Sequence, residues 1–105
     1  MTKNKHKKIK IKKMDRECWN LNISFAKWLE PRLKLYLKRG GKIVDLDFYK
    51  FAIDGIEKTQ REWIETMIDL CSWINNDDNF LDDKFTDKLL FLGKIWATVL
   101  PSMWW

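Results

Sequence analysis

The chain has 105 residues, enough for one domain whose single core needs neither a metal nor a disulfide. Hydrophobic residues make up 46% and charged residues 33%, a globular balance that excludes a wholly disordered chain. The net charge of +5 is unevenly spread: Lys3, Lys5, Lys7, Lys8, Lys10, Lys12 and Lys13 fall in the first thirteen residues, and the remainder has thirteen basic against fifteen acidic side chains. A body built to grip duplex nucleic acid is expected to carry a basic face of its own. On this distribution only the N-terminal lysines offer one, which predicts weak, sequence-independent nucleic-acid binding and no specific nucleic-acid partner.

In chain order, residues 1–13 alternate lysine with Ile9 and Ile11, bury little and read as a basic mobile arm. Without an apolar stretch after its charges, the arm does not read as a secretory signal. Residues 14–105 read as one helical domain. Asp15 is a plausible N-cap for a first helix reaching about Arg39, with Gly40-Gly41 stopping it and Pro31 kinking or restarting it. Cys18, Leu21, Phe25, Trp28 and Leu29 repeat at helical spacing, which outweighs a strand-like alternation over residues 19–25.

Ile43 and Val44 suggest a brief extended piece, and Asp47 a cap for a short extra helix through Phe48, Phe51 and Ala52 that Gly55 ends. Thr59-Gln60-Arg61-Glu62 reads as a capping box, and the helix after it buries Trp63, Met67, Leu70 and Ile74. Residues 75–79 make a polar turn. A last helix runs from about Asp82 or Thr86 to Leu100, carries Phe85, Leu89, Leu92, Trp96 and Val99 on one stripe, and ends at Pro101. The predicted fold is all-α, a small single-domain bundle of three main helices. Leu89–Trp105 is broken by Lys94 and Pro101, so it reads as a core helix with a docked end and not as a stable membrane span. Cys18 and Cys71 fall in helical apolar patterns without metal-ligand spacing and read as reduced core residues of a cytosolic protein.

The single histidine, His6, lies in the arm, which argues against a histidine-centred triad and against zinc hydrolysis. The four glycines lack phosphate-loop spacing. Asp77, Asp78, Asp82 and Asp83 do not follow a calcium loop and read as a solvated turn that places negative charge at a helix start. The expectation is a non-enzymatic protein without catalytic residues, metal or cofactor.

Two oddities remain. On a helical wheel Arg32 falls among Leu21, Phe25, Trp28 and Tyr36, whereas Lys27, Lys34 and Lys38 share a polar strip with Asn20. A guanidinium on an apolar face must be paired or reach water. It is either an internal ion pair, with Asp69 or Glu62 as partner, or the anion-binding group of a ligand site in which Trp28 or Tyr36 stacks on a base and Lys34 adds a second cation. The other oddity is aromatic load: seven Trp, six Phe and two Tyr. Trp63 and Trp96 sit in mid-stripe, while Met103, Trp104 and Trp105 follow a proline and either dock on the core, form an oligomer or partner interface, or touch a membrane surface.

Cys18-Trp19-x-Leu21, Ala26-Lys27-Trp28-Leu29-x-Pro31-Arg32-Leu33-Lys34, Trp63-Ile64-Glu65 with Ile68-Asp69, Leu92-Gly93-Lys94 and the closing Ser102-Met103-Trp104 together resemble a group of small proteins of tailed bacteriophages. That pattern, W-x-L-x-x-x-x-A-K-x-x-x-P-R-L-K and onward, covers about residues 17–104, with departures at Leu46–Gly55 and Ile95. The resemblance implies a phage accessory protein in the host bacterial cytoplasm. It carries no activity to transfer, and it places Arg32 and Asp69 at motif positions. Three readings follow: a homo-oligomeric counter-defence protein that sequesters a small nucleotide signal, an antagonist that docks on a host protein through an aromatic patch, and a weak nucleic-acid binder acting through the arm.

Overall fold

The computed structural model describes Cys18 and residues 20–103. The lysine arm, Asp15, Trp19, Trp104 and Trp105 lie outside the described residues. Within them the chain forms helix α1 (Leu21–Gly40), strands β1 (Lys50–Ile53) and β2 (Ile56–Thr59), helix α2 (Gln60–Ile74), a 3₁₀ turn (Asp77–Asn79), helix α3 (Phe85–Val99) and a closing 3₁₀ turn (Leu100–Ser102). The architecture is therefore mostly helical, with an antiparallel hairpin that the all-α expectation lacked.

That hairpin replaces the short helix expected between Asp47 and Gly55. Ile53 pairs with Ile56, so a two-residue turn, Asp54-Gly55, joins the strands. Both turn residues have positive φ, 53° and 79°. Asp-Gly tolerates that geometry, and the twist it imposes matches that of the flanking strands. Gly55 is thus the hinge of a turn and not the end of a helix.

α2 is the central element, with α1 packed on one side and α3 on the other. Trp63, Met67, Leu70 and Ile74 are buried as their spacing predicts, joined by Ile64 and Cys71. Its N-terminus is fully provided for. The Thr59 hydroxyl accepts from the Glu62 amide at 3.2 Å while the Glu62 carboxylate accepts from the Thr59 amide at 3.0 Å. The next orphan donors, the amides of Gln60 and Arg61, reach the carbonyls of Tyr49 and Leu46 in the preceding loop. The Trp63 indole donates to the Phe51 carbonyl at 2.8 Å, tying β1 to the helix.

α1 buries Ala26, Leu29, Leu33 and Gly40. It continues through Pro31 without restarting. The stop at Gly40-Gly41 holds, without a left-handed cap. Gly41 has φ −61°, and a Cβ there would lie 2.8 Å from the Leu37 carbonyl. α3 contributes Phe85, Leu92, Ile95 and Val99 to the core, with Leu89 and Trp96 half-buried against it. Pro101 sits in the 3₁₀ turn that ends the helix, and Met103 packs against the core. Of the two cysteines, Cys71 is in the core but Cys18 is exposed, which corrects its assignment as a core residue. Among the described residues no helix is long and apolar enough to cross a membrane.

Candidate functional site

The sequence-derived ligand quartet Trp28, Arg32, Lys34 and Tyr36 does not come together. Arg32 and Lys34 project about 160° apart around α1 at 100° per residue. Lys34 lies on the flank facing the end of α2, bonded to Glu30 at 3.0 Å. The other Glu30 oxygen accepts from the Asn75 amide at 2.8 Å, so this flank is an interhelical tie. Burial opposes ionisation of Glu30, yet the bonds from Lys34 and Asn75 and the Lys34 charge outweigh it and hold the carboxyl below its ordinary value. Tyr36 is half-buried against the core, and burial raises its phenol above its usual range despite a hydrogen bond with Gln60. Gln60, 2% exposed, also donates to the Ser102 carbonyl, so this polar knot joins α1, α2 and the closing turn.

Trp28 and Arg32 do meet. The guanidinium carbon lies 4.5 Å from the Trp28 ring centroid, and Nη1 donates to the Trp28 carbonyl at 2.7 Å. The ring and the carbonyl hold a flat guanidinium in place one turn along the helix, beside Pro31, whose missing N–H already weakens the ladder there. Arg32 is exposed, and neither Asp69 nor Glu62 pairs with it among the described residues. Glu62 closes the capping box of α2 instead. Both internal ion-pair assignments are thus corrected. The wheel treated Leu21 and Trp28 as buried, but they are 62% and 49% exposed, so the sector that they define points outward. The true core sector of α1 is centred on Ala26, Leu29 and Leu33.

Aromatic contacts continue inward from this pair. Phe25 lies 6.4 Å from Trp28, nearly parallel, and 6.0 Å edge-on from Trp96 of α3. Beside them are two adjoining clefts that share Leu21 and Phe25. One, of about 440 Å³, is lined also by Ser24, Lys27 and Trp28; the other, of about 530 Å³, by Asn22, Leu89, Leu92 and Gly93. Gly93 stands mid-helix, and among the described residues nothing lies within 4 Å of where a Cβ would be. This concave aromatic face with one rigid cation is the best-formed candidate site. Of the interface residues expected at the chain end, Met103 faces the core, and Trp104 and Trp105 lie outside the described residues.

Groups suited to chemistry are scarce in this face. Burial, reinforced by the Glu30 charge, pushes the Cys71 thiol up to about 12, so it is inert. Among the described residues no three His, Cys, Asp or Glu side chains gather where a metal could be held. The chain matches no family model, no curated protein and no solved structure. The functional reading therefore rests on the geometry of the face itself.

Proposed function

We propose that this is a non-enzymatic binding protein that docks on a macromolecular partner through the outer face of α1, with Trp28 and Arg32 at its centre. The observation that carries the reading is the half-exposed Trp28 ring under a pinned guanidinium. Trp and Arg are the side chains that dominate binding hot spots, because both present large, rigid contact surfaces at small entropic cost when already held in place. The adjoining Leu21 and Phe25 clefts give a partner somewhere to insert apolar side chains. A phage accessory role in the bacterial cytoplasm is the setting that the sequence resemblance suggests for it.

The geometry favours docking over capture of a small nucleotide signal. Enclosing a nucleotide needs convergent cations and a stacking ring, and α1 sends Lys34 and Arg32 to opposite flanks. The test is capture from bacterial lysate by immobilised protein, with and without nuclease treatment. A stoichiometric partner retained by the wild type and lost from Trp28→Ala and Arg32→Ala is the expected result. Identical capture by all three proteins would sink the reading, and a cyclic or linear nucleotide binding tightly in calorimetry would replace it.

A further inference from the structure

The distribution of charge in three dimensions differs from the distribution along the chain. α1 carries Lys27, Arg32, Lys34, Lys38 and Arg39 against one acid, Glu30, which Lys34 already neutralises. Residues 41–105 carry seven basic against twelve acidic side chains. The near-neutral average of the body therefore conceals a basic helix on an acidic support. All five cations of α1 are exposed, and among the described residues Lys27, Arg32, Lys38 and Arg39 have no carboxylate partner.

We propose that the outer face of α1 binds the phosphodiester backbone of nucleic acid without sequence preference; this rests on the docking reading above and names its partner. The cations form two rows. Lys27 and Lys38 lie about 16 Å apart along one edge, and Arg32 and Arg39 about 10 Å apart along the other, at 1.5 Å rise per residue. Trp28, Pro31 and Leu35 lie between the rows. A rod of cations on two edges matches a polyanion that carries a charge about every 1.7 Å of duplex axis. The Arg32 guanidinium, held over the Trp28 ring, can take a phosphate bidentately or stack on an unpaired base. An anionic bilayer fits less well. A helix lying on lipid turns a broad apolar face outward, whereas the main apolar stripe of α1 (Ala26, Leu29, Leu33) is packed inside the protein and only a narrow strip, Leu21, Trp28 and Leu35, is exposed beside the cations.

The test measures binding of the full chain to a labelled 20-nucleotide single strand, to its duplex, and to vesicles containing phosphatidylserine, each across a salt series. The variants are Lys27→Gln/Lys38→Gln/Arg39→Gln and, as a charge control on the acidic side, Glu65→Gln/Asp69→Asn. Expected are binding to one or both nucleic acids and a log K against log salt slope shallower by about 2 to 3 in the triple variant, since each lost contact removes about 0.7 to 0.9. The control should bind at least as well as the wild type. An unchanged slope in the triple variant would hand the binding to the N-terminal lysines and overturn the proposal. No binding at low salt, or binding to vesicles alone, would overturn it too. If Trp28-dependent capture from lysate survives either result, the docking reading stands and only its partner was misassigned.

Discussion

α1 and α2 are both long amphipathic helices, yet they use their side chains in opposite ways. α2 is flanked by packed elements, and its first turn is held by a capping box and two loop carbonyls. α1 begins at Asn20 with no side-chain cap, contains a proline, and leaves Leu21, Trp28 and Leu35 exposed. Burial and capping are concentrated in α2, while α1 leaves much of its surface open, and it is there that we propose recognition takes place. A helix that buries one narrow stripe leaves much of its circumference exposed. The two tryptophans make the same point: Trp63 is fully buried with its N–H bonded, while Trp28 is half exposed under a guanidinium.

The sharpest way to break this contrast is to truncate the two rings. Trp63→Ala is expected to cost about 3–5 kcal/mol through lost burial and a cavity, with the Phe51 carbonyl left unpaired. Trp28→Ala is expected to change stability by less than about 1 kcal/mol. Chemical denaturation of both variants checks the pair, and equal losses would erase the division of labour. Next in size, Gly55→Ala forces a Cβ into positive φ and is expected to cost about 1 kcal/mol. Thr59→Ala, which removes one half of the capping box, is expected to cost a similar amount, about 1 kcal/mol.

A pH series sharpens the same comparison. Hydrogen bonds from the Thr59 backbone and side chain hold the Glu62 carboxyl below its reference value of 4.5. A carboxyl depressed in the folded state adds stability above its unfolded pKa and loses it as pH falls through the lower folded value. Thermal stability should therefore drop on acidification below about pH 4.5. Glu62→Gln should show a smaller drop, and an identical pH profile would remove the cap from this account. The smallest expected effect is on thiols. Native protein should react rapidly with a thiol reagent at exposed Cys18, whereas Cys71 should react only on unfolding.

Much of the helical frame was legible because periodicity reports burial directly. The α2 stripe, its capping box and the α3 stripe all agree with the structure, and each rests on spacing within a single element. The hairpin was legible too, in Asp54-Gly55 between β-prone residues, but the glycine was given the wrong task. The candidate site was harder to read. Trp28 and Arg32 were singled out together, yet their role was inverted, because a wheel cannot tell a buried apolar residue from an exposed one. Averaged charge likewise hid the basic side of α1, since the acids that balance it belong to other elements.

Local spacing and local hydrogen bonding dictate where α2 and α3 form, what caps α2 and the Trp63, Met67, Leu70 and Ile74 stripe that it buries. Which side of α1 meets α2 is set by long-range packing. That choice depends on how Leu29 and Leu33 dock, a contact between elements far apart in sequence. It turns Trp28 and Arg32 outward, parts Tyr36 from them, and leaves the unpaired cations of α1 along the two edges of its exposed side.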